Sequence, residues 1–389
     1  MLFEATGALA ALSAALSLWQ WGAALRFPLH RRRPVAQNLP SVTLLKPLNG
    51  CDAETEACLE SWFTQDYRDF EVLFGVASAE DPVCQIVRHL QAKYPRIHSK
   101  LVVCSLSAGP NRKAAKLAVL ESLARRQIIV VSDADVKVPA DFLKQTVPAL
   151  LDEKTGMVNC FYFLANPSNV AMRWEALAVN ADFWSYVLQA KSLKPVDFGL
   201  GAVMAVRRSY LVRIGGFRRL ASFLADDYHL GSQIFRAGGK IELSSVVVEC
   251  RDAPLNFRQV WQHQLRWSRT IRVCQPVPFF FSILGNATLW PVVWLALYPR
   301  PGVLLAAAIM LSLRVVMAGH LQGRLTRSRD HWRYVWLAPV KDLLHFFLWA
   351  AAFGGNHIRW RGQTFRVTKA GRLIHRPTPA ASLQEAGAS

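Results

Sequence analysis

Val130-Val131-Ser132-Asp133-Ala134-Asp135 is an apolar run that stops in two carboxylates spaced i, i+2. Working outward, short apolar runs alternate with amphipathic segments from about Val42 to Val248. Val42 to Leu45, Phe70 to Ala77, Leu101 to Cys104 and Gln127 to Val131 read as strands. Glu54 to Phe63, Pro82 to Lys93 and Arg112 to Arg125 read as the helices between them. This rhythm predicts an α/β fold, a mostly parallel sheet with helices on both faces. Ligands of such sheets sit at the carboxyl ends of the strands, where Asp133 and Asp135 stand. Two carboxylates at that spacing can share a divalent metal, Mg2+ or Mn2+, that holds a diphosphate. The plainer alternative is a solvated turn or a helix cap before Pro139.

Two other stretches carry chemistry. In Leu224-Ala225-Asp226-Asp227-Tyr228-His229-Leu230 two adjacent acids open an amphipathic run that stops at Gly238-Gly239. A helix start favours negative charge for structural reasons alone. The functional alternative is a carboxylate that takes a proton from an acceptor hydroxyl. In Trp261-Gln262-His263-Gln264-Leu265-Arg266-Trp267-Ser268-Arg269, Arg266 offers a cation for phosphate and Trp267 a flat face for a sugar or lipid. Trp and Arg also anchor chains at membrane boundaries.

Composition narrows the class. Of 389 residues, 52% are hydrophobic and 19% charged, against about 25% charged in soluble domains. The net charge of +19 suits an anionic membrane surface or a polyanionic substrate; no nucleic-acid module pattern is present. Seven cysteines without paired short spacings argue against a disulfide framework or a zinc knuckle.

The apolar excess lies at the two ends. Ala5 to Leu25 is long enough to span a bilayer core of about 30 Å. It lacks a basic leader and a small-residue cleavage site. Arg26, His30, Arg31, Arg32 and Arg33 follow it, which predicts a cytoplasmic domain downstream. Phe279 to Leu297 and Val303 to Gly319 are two further candidate spans. Val335 to Phe353 contains Lys341, Asp342 and His345, and charge at mid-membrane costs on the order of 2.5–3.5 kcal/mol per residue. A re-entrant or interfacial helix is therefore expected there, followed by a basic tail. The layout is a membrane helix over 1–28, a catalytic domain over 38–275, a membrane region over 276–376, and a disordered tail over 377–389.

Taken in order, these residues resemble the ceramide glucosyltransferase family and its bacterial relatives, among the inverting glycosyltransferases of GT-A fold. The family pattern of three separated aspartates matches Asp81 in Ser78-Ala79-Glu80-Asp81-Pro82, Asp133, and Asp227. Its closing Gln/Arg-x-x-Arg-Trp pattern matches at Arg266-Trp267, with His263 at the position of Gln or Arg and Gln262 or Gln264 as substitutes. Asn111-Arg112-Lys113 matches an Asn-x-Lys segment, and Val42-Thr43-Leu44-Leu45-Lys46-Pro47 an opening strand. The resemblance implies a UDP-sugar donor, a divalent metal, a membrane lipid acceptor and inversion at the anomeric carbon. It implies Asp81 and Lys113 at the donor, Asp133 and Asp135 at metal and diphosphate, and Asp227 as general base. Arg266, Trp267, Gln264 and His263 would meet the diphosphate or acceptor. The segment Phe198-Gly199-Leu200-Gly201-Ala202 looks like the hopanoid-associated branch, so a polycyclic lipid alcohol stands beside a sphingoid acceptor. The expected location is a bacterial inner membrane. A processive polysaccharide synthase shares the aspartates but needs a membrane channel, for which these spans are too few. A non-catalytic membrane scaffold would have no need of all three acidic sites.

Overall fold

A computed structural model describes all residues except 33, 35, 37, 105–106, 361–362 and 376–389. The expected tail at 377–389 lies outside the described residues. Eight strands form one sheet: β1 Val42–Pro47, β2 Phe70–Val76, β3 His98–Val103, β4 Ile128–Ser132, β5 Val136–Lys137, β6 Thr155–Leu164, β7 Val203–Arg207 and β8 Lys240–Cys250. Their order is β3-β2-β1-β4-β7-β6-β8-β5. The first four neighbours are parallel, β7 runs against both β4 and β6, and β6 is parallel to β8. The sheet is thus mixed and mostly parallel. All six residues of β1 are buried, as expected of a strand covered on both faces.

The intervening helices fall where hydrophobic period and capping put them. Val83–Lys93 buries Val83, Val87 and Leu90 along one stripe. Arg112–Leu123 starts at Asn111, whose side chain accepts from the backbone N–H of Lys113 and Ala114, a cap for two otherwise orphaned donors. Three short antiparallel strands, β9 His357–Trp360, β10 Gln363–Val367 and β11 Leu373–His375, close the described chain.

Among the described residues, Leu2–Leu25 and Pro301–Thr326 are long and apolar enough to cross a membrane. The stretch expected as one span over Phe279 to Leu297 is a pair of helices, Pro276–Gly285 and Leu289–Leu297, bent by 52°, the shape of a broken span or of a re-entrant loop. Asn286 stands at the break, accepting from the N–H of Thr288 and Leu289. Helix Leu337–Phe353 contains the charges that argued against a span, but they do not face outward. Arg314 holds Asp342 in a two-pronged contact at 2.8 and 2.9 Å and Asp182 at 2.8 Å. Lys341 pairs with both Asp182 and Asp342, and Thr288 donates to Asp342. All four charged residues are buried. Two cations thus offset two anions inside the protein, so their presence does not by itself decide how deeply this helix lies. Removing one member of a buried ion network strands its partners and typically costs about 3–5 kcal/mol. Arg314→Met is therefore expected to lower the unfolding temperature sharply in detergent. An unchanged unfolding temperature would mean that water relieves the stranded acids.

Candidate active site

The acids gather at the carboxyl ends of the parallel strands. β4 stops at Ser132, and the Asp133 N–H donates to Ala202 O at 3.1 Å. Asp133 Oδ1 lies 2.5 Å from Lys113 Nζ, and the same nitrogen lies 3.8 Å from Asp226 Oδ2. One lysine thus joins the end of β4 to the start of the helix Asp226–Arg236. Burial opposes the charge on Lys113, but Asp133, Asp226 and Asp227 outweigh it and raise its pKa. Asn111, fully buried, donates to Asp226 Oδ1 at 3.1 Å.

The two adjacent acids have different surroundings. Asp226 is committed to Asn111 and Lys113. Asp227 accepts from the Tyr228 N–H at 2.8 Å and packs against the Phe198–Ala202 loop. A Cβ on Gly201 would come within 2.6 Å of Asp227 Oδ2, and one on Gly199 within 2.2 Å of its backbone oxygen. Gly199 therefore needs to be glycine for close approach to backbone, and a side chain at Gly201 would displace the Asp227 carboxylate. Burial, then the neighbouring Asp226 charge, pushes the Asp227 carboxyl up to about 6. Burial, then Asp133 and Asp252, likewise pushes Asp135 up to about 7. Lys46, fully buried in β1, donates to Ser132 Oγ at 3.2 Å and to the Asp133 backbone oxygen. Burial lowers its pKa to about 8.

Asp81 lies beyond β2, where both carboxylate oxygens accept from Gly50 N–H at 3.1 Å and one accepts from Val83 N–H. It fastens the loop after β1 to the next helix. His263, Gln264, Arg266 and Trp267 lie on the helix Phe257–Cys274, which opens with a capping box between Asn256 and Gln259. His263 Nδ1 lies 2.7 Å from Glu175 Oε1, and Gln264 donates to the same oxygen at 2.8 Å. The Trp267 ring meets His263 at 4.7 Å and Phe183 at 6.3 Å, and Phe183 meets Tyr162 at 5.6 Å. An aromatic row therefore leads from this helix to Tyr162. Burial, with Cys250, Asp227, Asp133 and Asp135 adding to it, keeps the Tyr162 phenol protonated.

Lys46, Tyr162, Glu175 and Asp252 join the candidate site without having been singled out in the sequence, Lys46 only as part of the opening strand Val42–Pro47. Glu175 carried a signal: a carboxylate in the apolar run Trp174-Glu175-Ala176-Leu177 is rarely buried unless paired. Tyr162 carried none, because an aromatic residue in a strand is ordinary core.

The chain has relatives among known proteins. Residues 4–373 match glycosyl transferase family 21. A ceramide glucosyltransferase of Caenorhabditis elegans is 22% identical over 361 residues, covering 90% of this chain and 77% of that one. A ceramide glucosyltransferase of Komagataella phaffii is 33% identical over 129 residues, 32% of this chain and 25% of its own. In fold, the chain is similar to a mannosyltransferase from Pyrobaculum calidifontis solved in complex with GDP-Man and Mn2+. That likeness has a TM-score of 0.50 at 21% identity and covers 89% of this chain and 99% of the other. A family match running from the first helix to the last strand makes this protein a member of glycosyl transferase family 21, a glycosyltransferase of GT-A fold.

Proposed function

We propose that the protein transfers a hexose from a UDP-sugar to the hydroxyl of a membrane lipid, by a single displacement that inverts the anomeric carbon. The observation that carries this reading is the arrangement around Lys113, which holds Asp133 and Asp226 together beside Asp227. Asp133 and Asp135 suit a hard divalent cation. Asp135 is kept partly protonated by burial and by its acidic neighbours, a condition a cation would relieve. Among the described residues no group of three or more His, Cys, Asp or Glu is placed to hold a metal ion by itself, so Asp133 and Asp135 are the residues that would hold it. Such a cation supplies charge neutralisation of the leaving nucleoside diphosphate.

The chain's own residues do the rest. Lys113, held charged, adds a fixed positive group near the diphosphate. Asp81 orders the loop at the nucleoside end. Asp227, raised to about 6, is a carboxylate at neutral pH and a stronger base than an ordinary aspartate. It takes the proton of the lipid hydroxyl as that oxygen attacks. Trp267, Phe183 and Tyr162 form the apolar wall along which the acceptor lies, and Arg266 faces the diphosphate. The named relatives act on ceramide, so a ceramide-type lipid is the first acceptor to try and a hopanoid alcohol the second. Incubation with a panel of UDP-sugars and both lipids, read by mass spectrometry, tests the reading. Donor hydrolysis without any glycolipid would overturn it.

The catalytic domain faces the cytoplasm, in this reading at a bacterial inner membrane, because Arg26, Arg31 and Arg32 follow the first helix. Ser78, exposed beside the Asp81 loop, reports on this. Ser78→Cys is expected to resist an impermeant thiol reagent in intact cells and to react once the cells are opened. Labelling in intact cells would reverse the orientation.

A further inference from the structure

A second site lies on the opposite side of the helix Asp226–Arg236 from Asp227. A cavity of about 720 Å³ is lined by Arg219, Tyr228, His229, Arg236, Lys369 and Arg372, among others. It forms where the turn before β11 docks on the loop preceding Asp226. There Leu224 N–H donates to Gly371 O at 3.0 Å and Leu373 N–H to Ser222 O at 2.8 Å. The four cations come from three separate stretches of chain and are all exposed. None of them joins an ion pair among the described residues. Two acids act on the cavity wall: Asp197 on Tyr228, itself paired with Lys194 at 2.8 Å, and Asp227 on Cys274. The His229 ring lies tilted against Phe223 with centroids 4.0 Å apart, and its Nε2 is buried without a hydrogen-bond partner among the described residues. The cavity thus gathers cations from three stretches of chain, and an anion entering it meets positive charge from each of them.

The position of the cavity indicates where the anion comes from. Its wall includes Val273 and Cys274, which end the helix Phe257–Cys274 one residue short of the helix Pro276–Phe281. Tyr228 donates to Cys274 O at 3.2 Å and accepts from Gln275 at 2.8 Å. Val277, Phe280 and Phe281 then follow with 64%, 52% and 56% of their surface exposed. A basic cavity beside an exposed apolar helix matches a lipid with a phosphate in its headgroup, since arginine forks and lysine both take phosphate.

We infer that this cavity binds a phosphate-bearing anion, supplied by an anionic phospholipid at the membrane surface. Because Tyr228, His229 and Arg236 share a helix with Asp227, the bound anion also braces the element that carries the proposed base. The binding claim itself is independent of the proposed reaction.

The test titrates the full-length chain in neutral detergent with dioctanoyl phosphatidylglycerol, dioctanoyl phosphatidylcholine and inorganic phosphate, without donor or acceptor. Saturable binding of phosphatidylglycerol at one per chain is expected, with phosphatidylcholine silent. The variant R236Q/K369Q/R372Q is expected to bind about 100-fold more weakly, as each cation near an anionic headgroup contributes about a factor of five. R88Q/R96Q/K100Q, on exposed cations of the opposite sheet edge, should bind as the parent. Should the triple variant not fold, Arg219→Gln and Lys369→Gln singly replace it, each with a several-fold loss. Weak binding of inorganic phosphate assigns the lipid source; equal binding at the same residues keeps the phosphate site and makes its natural ligand soluble. Equal binding of phosphatidylcholine, or unchanged affinity in the variants, would overturn the inference.

Discussion

Asp227→Asn is expected to lower turnover by about 10²–10⁴-fold, the usual contribution of a general base, while UDP-sugar affinity stays near the parent value. The amide is nearly isosteric and still accepts from Tyr228 N–H, so the fold survives; it cannot take a proton. Asp226→Asn acts differently. It weakens the contact with Lys113 and leaves Asn111 facing an amide. A rise in donor KM is therefore expected beside a smaller fall in kcat. Turnover and donor affinity measured for both variants in one lipid environment separate these outcomes. A parental rate for Asp227→Asn with a dead Asp226→Asn would exchange the roles. The pH profile gives a second check. A base with a pKa of about 6 is ionised above that value, so kcat/KM should be flat above it. Below it, the rate should fall about tenfold per pH unit as the carboxyl is protonated. The acidic limb should be missing from whatever activity remains in Asp227→Asn.

The second large effect concerns Asp133→Ala. Its backbone hydrogen bonds, the N–H donating to Ala202 and the carbonyl accepting from Lys46, remain in the variant, so the end of β4 should hold. What disappears is one of two carboxylates proposed for the cation and the nearer partner of Lys113. Transfer is expected to drop by at least about 10³-fold, since charge stabilisation by a bound cation is worth several kcal/mol. Metal-dependent donor binding should be lost with it. Titration of UDP-sugar with and without Mg2+ or Mn2+, on parent and variant, measures this. Full parental activity in the presence of chelator would remove the metal from the mechanism.

Strand and helix positions from Val42 to Val131 were legible from the alternation of apolar runs with amphipathic stripes, whereas β5 to β8 drew no individual expectation. β1, β2 and β4 are apolar on both faces and bounded by polar turns, and the helices between them show stripes with caps such as Asn111. The paired acids were legible too, since a carboxylate at the end of a buried strand stands out against its neighbours. The membrane half was harder. A hydropathy run reads length and composition but not a bend. The break at Asn286 therefore joined Phe279 to Leu297 into one expected span, while the structure has two helices at 52°. The penalty assigned to Lys341 and Asp342 assumed that each charge stood alone.

By itself the sequence determined the α/β alternation, the apolar ends and the acids at the strand ends, because each depends on residues close together in the chain. Only the tertiary structure decided the rest. Asp182, Arg314, Lys341 and Asp342 neutralise one another across about 160 positions of chain. Glu175 accepts from Gln264 across 89 positions, and Lys113 joins two acids that lie 20 and 113 positions further along the chain. Which of two adjacent aspartates lies against Gly199 and Gly201 was likewise set by packing. Charge pairing and close approach are properties of distance in space, and local pattern carries no record of which distant residue will arrive.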